Sequence, residues 1–251
     1  MNPTIQQQLK HRTIRFFKES PVDPSQLEQI LDVMNRTATS SGLQSYSAIR
    51  ITDQTLKEQI AAVCRQAYIA QTPELFIFLV DNYRNSEIAR SKGNDTLAFG
   101  DMNNFFQGAA DVYLAAQNMT NAIESLGLGA VFLGSVLNDV RRMINILQLP
   151  PLTFPLLGLA FGQPDDSPQL KPRMDLALKV GENSYPQVAD YSEALASYDQ
   201  EMTHYYDTRD KNRRSDTFSQ QVIQKQSATL PLRKSILKVA QEQGFDLGLG
   251  D

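Results

Sequence analysis

The stretch from Phe99 to Leu126 constrains the fold of this chain more than any other. Apolar residues recur along it at helical spacing and no proline interrupts it. Small residues (Gly108, Ala109, Ala110, Ala115, Ala116) leave it apolar around most of its girth. A helix of that kind is buried on most sides, against a core and against a further surface for which a second subunit is one candidate. Gly127-Leu128-Gly129 stops it.

Four strands fit around this helix. Glu74 to Asp81 and Phe154 to Gly162 are near-continuous apolar runs, expected of buried central strands. Ser47 to Thr52 and Ala130 to Gly134 read as two more. Helical spacing predicts helices over Thr4–Leu9, over Ser25–Arg36 with Ser25 as cap, over Gln54–Ala67, over Asn138–Leu147 with Asn138 as cap, and an amphipathic one over Leu232–Gln243. The expected class is α+β, with helices flanking one mixed or antiparallel sheet. After Pro172 the character changes, and Tyr185, Tyr191, Tyr198, Tyr205 and Tyr206 are spread through polar sequence. Residues 1–251 are expected to form a single domain, with 170–251 a C-terminal excursion wrapped on the core.

Several function classes are disfavoured. A net charge of -4 argues against a general nucleic-acid binder, as does the lack of aromatics among the basic pieces. The single cysteine, Cys64, allows no internal disulfide and fits a reducing cytoplasm, where we expect the protein to act without a membrane anchor. One Cys and two His do not suit a structural zinc site. No Rossmann glycine fingerprint, P-loop or nucleophile elbow is present.

The chemistry-bearing residues fall in five groups. His11-Arg12-Thr13-Ile14-Arg15 offers guanidinium forks and a hydroxyl suited to a phosphate dianion, although alone it reads better as a solvated charged turn. Thr39-Ser40-Ser41 is a cluster of hydroxyls before a strand. Leu133-Gly134-Ser135 lies at a strand end, where glycine lets a flat ligand approach the backbone. Lys171-Pro172-Arg173 places two cations about a stiff residue, and the loop Thr208–Arg214 carries Arg209, Lys211, Arg213 and Arg214 in an acidic protein. Taken singly, each is more often plain surface than a site.

In sequence order these pieces resemble the nitroreductase superfamily, in the branch of oxygen-insensitive NADPH nitroreductases and flavin reductases. The resemblance rests on HRTIRFF (11–17), ATSSGLQSYSAIRITD (38–53), QAYIAQTPELFIF (66–78), ESLGLGAVFLG (124–134), LLGLAFGQP (156–164), LKPR (170–173), ENSY (182–185) and YYDTRDKNRR (205–214). It runs nearly end to end and is weakest around 84–98.

The resemblance implies a homodimer with FMN at its interface, a long helix in the dimer core and an excursion that also wraps the partner subunit. His11, Arg12, Thr13 and Arg15 would hold the phosphate and ribityl end. Thr39, Ser40 and Ser41 would lie against the flavin, Gln66 would contact it from a neighbouring loop, and Phe132, Leu133, Gly134 and Ser135 would bring backbone N–H groups near N5. Lys171 and Arg173 would meet the phosphate and the pyrimidine side. Arg209 and Arg213 match mobile-loop arginines that recognise the 2′-phosphate of NADPH, with NADH as the alternative reductant and Arg233 as a further candidate.

The implied activity is two-electron transfer from NAD(P)H to nitroaromatics, quinones or free flavin by a ping-pong mechanism. An FMN reductase that supplies reduced flavin is an alternative, and a non-catalytic flavin-binding module is the rival from another class. The chain departs from the pattern at Thr13, where relatives carry Ser. It has Phe132-Leu133-Gly134-Ser135 in place of Tyr-Ile-Gly-Gly, and Leu137 where some relatives have Arg. Ser135 is expected to alter the acceptor pocket.

Overall fold

The apolar run read as a central strand is one because both of its faces are covered. In the computed structural model, which describes residues 1–95, 98–207, 216–227 and 230–248, β2 (Glu74–Asp81) is buried at every position. Alternation splits its side chains between two cores. Phe76, Phe78 and Val80 join the cluster built on the long helix, whereas Leu75, Ile77 and Leu79 join a second cluster on the opposite face.

The four strands are β1 (Tyr46–Arg50), β2, β3 (Gly129–Leu133) and β4 (Thr153–Gly162), in the order β1-β2-β4-β3. All three pairings are antiparallel, which settles the mixed-or-antiparallel alternative. Pro155, which has no N–H to give the ladder, sits at an irregularity where Phe78 faces Leu157 and Leu79 faces Pro155.

The described residues fall into two compact units, Met1–Ser167 with Leu230–Asp251, and Pro168–Thr229. The first unit holds the sheet. Its helices are α1 (Pro3–Leu9), α2 (Pro24–Asn35), α3 (Gln54–Cys64), α4 (Tyr83–Arg90), α5 (Met102–Ser125) and α6 (Val140–Leu147). The second unit holds α7 (Tyr191–Asp207) and α8 (Phe218–Gln226), and α9 (Ile236–Glu242) returns to the first. α2 and α5 cover one sheet face, through Leu27, Ile30, Val112, Ala116, Met119 and Ile123. α3 and α6 cover the other, through Ile60, Val63, Cys64 and Met143. None of the described helices is long and apolar enough to cross a membrane.

Several boundaries differ from expectation. Asp23, not Ser25, caps α2, because its Oδ1 accepts both the Ser25 N–H (2.8 Å) and the Ser25 hydroxyl (2.6 Å), with Pro24 in the first turn. Asp139, not Asn138, caps α6 by accepting the Arg142 N–H, and a 3₁₀ turn occupies Gly134–Asp139. α3 ends at Cys64 because Arg65 turns into the left-handed region. Leu232–Gln243 divides into a 3₁₀ turn, Pro231–Ser235, and α9.

In the second unit four of the five tyrosines read as scattered, Tyr191, Tyr198, Tyr205 and Tyr206, lie on α7, and Tyr185 precedes it. Tyr198, Met202, Tyr205 and Tyr206 form its small core, with Met174, Leu195 and Phe218 against them. Asp199 ties α7 to α8 by accepting the Ser219 N–H (2.9 Å) and hydroxyl (2.6 Å). Thr217 and Gln220 form a reciprocal capping box on α8.

Candidate active site

The basic segment is laid along the open edge of β3. The Ile14 N–H donates to Ala130 O at 2.9 Å, Thr13 bridges Ala130, and Phe17 bridges Pro164 just past β4. Ile14 is the buried anchor, and Gly129 makes the close approach possible: a Cβ there would sit 2.5 Å from Ile14 Cγ1. His11 is fixed by its ring, with Nδ1 2.5 Å from Oε1 of the buried Glu124 near the end of α5. The Arg12 Nη1 donates to Lys10 O at 3.4 Å, while Arg12 Nε is buried with no partner among the described residues.

Arg15 joins this segment to a second group. Its guanidinium charge acts on the Tyr68 hydroxyl, whose pKa burial pushes up and Arg15 pulls back down. The Tyr68 hydroxyl also donates to Gln66 Oε1 at 3.4 Å, and the Ser135 hydroxyl donates to the same oxygen at 2.9 Å. Gln66, Ser135 and Arg15 are thus brought together at the end of β3, beside the exposed Gly134, where a Cβ would meet nothing within 4 Å. Phe132 is half-buried and Leu133 is in the core.

Behind that strand end runs a polar network. Arg233 Nη2 donates to Gly134 O at 2.7 Å and Arg233 Nε to Asn138 Oδ1 at 3.0 Å. Asn138 Nδ2 donates to the carbonyls of Val63 and Cys64, each at 3.3 Å. The fork of Arg233, a sequence candidate for the reductant's phosphate, is therefore turned onto the strand end. Burial pushes the Cys64 thiol up from its ordinary range, opposed by the neighbouring Ser135 hydroxyl and by the Arg233 charge.

The hydroxyl cluster is held elsewhere. Asp111, fully buried on α5, accepts the Ser40 N–H at 2.7 Å and the Ser45 N–H at 2.9 Å. From α4, Arg84 donates to Tyr46 O and to the Ser47 hydroxyl, and Asn85 donates to Leu43 O. These anchors hold a backbone that turns left-handed at Ser41, Gly42 and Gln44. Asp111 and Glu124 are the anchors of the two segments on α5, and at 1.5 Å per residue they lie about 20 Å apart along the helix. One chain does not gather its own hydroxyl cluster and basic segment at a shared α5 anchor.

Lys171 and Arg173 lie in the second unit and are exposed. Lys171 Nζ stands 6.0 Å from the centre of the Tyr206 ring, and Arg173 Nη1 donates to Lys171 O and Pro172 O, both at 3.2 Å. Arg209 and Arg213 lie outside the described residues.

Sequence reasoning passed over Asp111, Glu124 and Arg84, and read Asn138 only as a helix cap. Two of them carried a signal: Asp111 and Glu124 are the only charged residues within α5, and an acid on a buried apolar helix needs a partner.

The family described as "Nitroreductase family" matches residues 9–163, and "Nitroreductase family, C-terminal domain" matches residues 171–248. An oxygen-insensitive NADPH nitroreductase of Salmonella typhimurium is 36% identical over 246 residues, covering 98% of this chain and 99% of its own length. An NADPH-dependent oxidoreductase of Staphylococcus saprophyticus is 36% identical over 241 residues, 94% of each. Among solved structures, an NADPH:FMN oxidoreductase from Vibrio harveyi complexed with NAD+ superimposes with a TM-score of 0.87 at 32% identity, covering 97% of this chain and 98% of that one.

Proposed function

The chain belongs to the nitroreductase family, and on that premise we propose that it is an FMN-dependent NAD(P)H oxidoreductase that passes two electrons, by a ping-pong mechanism, to nitroaromatics, quinones or free flavin. The observation that carries the reading is the buried Arg12 Nε, unpartnered among the described residues, in a segment fixed on the edge of β3. A polar nitrogen withdrawn from water is almost always paired, and the phosphate of FMN is the acceptor that suits a guanidinium. His11, Thr13 and Arg15 share that end of the cofactor. Gln66, Phe132, Leu133, Gly134 and Ser135 flank the ring, where the open backbone at Gly134 suits a flat ligand.

Thr39, Ser40 and Ser41 belong, in this reading, to the site of a second subunit. The separation of their α5 anchor from that of His11 supports this. So do Phe106, Tyr113 and Leu114, large apolar side chains that stand 66%, 50% and 50% exposed on the helix whose other face packs in the core. A covering subunit removes that apolar surface from water. Lys171 and Arg173 keep their assignment to the phosphate and the pyrimidine side, and Arg209 and Arg213 theirs to NADPH, on the resemblance alone.

Held by these residues, FMN would supply the redox chemistry, two-electron transfer between nicotinamide and acceptor. The chain's own task is to hold and orient the partners and to place positive charge where the reduced ring becomes anionic; no protein nucleophile is required. The name of the Vibrio harveyi neighbour favours free FMN as one acceptor, and that of the Salmonella relative favours nitro compounds. A fluorescence titration tests the reading: added FMN is expected to be quenched to saturation, and NADPH then to be consumed when an acceptor is present. Binding without NADPH turnover would leave a flavin-binding module, and no binding would refute the proposal.

A further inference from the structure

We propose that Arg233, carried by the segment that returns to the sheet after residue 230, is a positioning residue that aims the Ser135 N–H into the cofactor site. The inference rests on the FMN reading above and assigns Arg233 a role other than gripping the reductant.

The argument begins with one peptide bond. In a trans peptide the carbonyl and the following N–H point in opposite directions across the same plane. Arg233 Nη2 holds Gly134 O at 2.7 Å. The Ser135 N–H must then point away from the guanidinium. The same peptide opens the 3₁₀ turn Gly134–Asp139, so the Arg233 bond adds a second constraint at a position where Gly134 brings no side chain of its own.

The clamp is itself braced. Arg233 Nε bonds Asn138 Oδ1 at 3.0 Å, and Asn138 Nδ2 reaches back to the carbonyls of Val63 and Cys64. The Ser135 hydroxyl, next to the same peptide, donates to Gln66 Oε1 at 2.9 Å. Three segments distant in sequence therefore meet on one peptide: the end of α3 with Gln66, the end of β3, and the returning tail. A cation bonded to a carbonyl also polarises the amide, which makes its N–H a stronger donor. Both effects favour a ligand that accepts a hydrogen bond at that point, as a flavin ring edge does.

The test compares wild type with Arg233→Lys and Arg233→Met, all as full chains. It measures FMN affinity by fluorescence quenching, the NADPH-to-NADH ratio of kcat/KM, and the far-ultraviolet spectrum. Arg233→Met is expected to weaken FMN binding roughly tenfold, the worth of one charge-assisted hydrogen bond, and to leave the cofactor preference ratio unchanged. Arg233→Lys, which keeps the charge and one donor but not the fork, is expected to fall between. Should Arg233→Met lose the wild-type spectrum, Arg233→Lys carries the comparison, with several-fold weaker FMN binding expected.

Unchanged FMN affinity in a folded variant overturns this inference alone. So does a collapse of the NADPH preference with FMN affinity intact, which would return Arg233 to the reductant's phosphate. A wild type that binds no FMN overturns the underlying reading and this inference with it.

Discussion

Asp111 gives the sharpest test of how the hydroxyl cluster is held. Its carboxylate, fully buried on α5, receives the Ser40 and Ser45 amides at 2.7 and 2.9 Å. Replacing it with Ala strands both donors. Ser45 is 5% exposed, so its N–H loses its partner with little access to water, at about 1–3 kcal/mol. Ser40 is half-buried, and its amide recovers part of the loss by hydration. Removing a carboxylate from the interior returns some desolvation energy. The expected net destabilisation is about 2–3 kcal/mol, which for a chain of this length lowers Tm by roughly 4–12 °C. Asp111→Asn keeps one acceptor but turns an NH₂ toward the other amide, so it should lose a comparable amount. Thermal unfolding followed by circular dichroism, at fixed protein concentration and without added flavin, measures the effect. A Tm within about 2 °C of wild type for Asp111→Ala would refute the reasoning.

Three further outcomes are expected. Gly129→Ala forces a methyl to 2.5 Å from Ile14 Cγ1, so it should lift the basic segment off β3 and weaken FMN binding at least tenfold by fluorescence titration; unchanged affinity would show that the edge contact does not shape the site. Cys64 should resist iodoacetamide well above the ordinary thiol range, because burial pushes its pKa up. The sign follows: a raised folded pKa gives stability that is present below the unfolded thiol pKa and is lost as pH climbs through the folded value, so Cys64→Ala should flatten the alkaline limb of a urea-stability profile, and an unaltered limb counts against it. Arg209→Ala with Arg213→Ala should raise the NADPH KM several-fold while leaving that for NADH unchanged; equal effects on both would remove the loop from phosphate recognition.

Much of the architecture was legible because it follows from periodicity. The apolar runs at 74–81 and 154–162 became the two central strands, and the uninterrupted pattern at 99–126 became α5 with its ends trimmed. The caps were misplaced where two competent side chains stand close together. Asp23 and Ser25 both suit an N-cap, and the carboxylate takes it because it accepts from both the Ser25 amide and hydroxyl. α7 was missed although Tyr198, Met202, Tyr205 and Tyr206 recur at helical spacing, since polar residues between them mask a short apolar stripe. Of the proposed ligand-facing residues, Arg15, Gln66 and Ser135, named from the sequence, are brought together by the fold. The residues that hold the candidate segments in place, Asp111, Glu124 and Asn138, were not legible in that role, because it depends on partners far away in sequence that only the folded chain brings near.

Anaerobic titration of the FMN-loaded protein with NADPH tests the central claim most directly. The account predicts that the visible absorbance of the bound flavin bleaches with one equivalent of NADPH per flavin, and returns when a quinone or nitroaromatic is then added without oxygen. Flavin that stays oxidised in excess NADPH and NADH, or that bleaches but passes nothing to any acceptor, would contradict it.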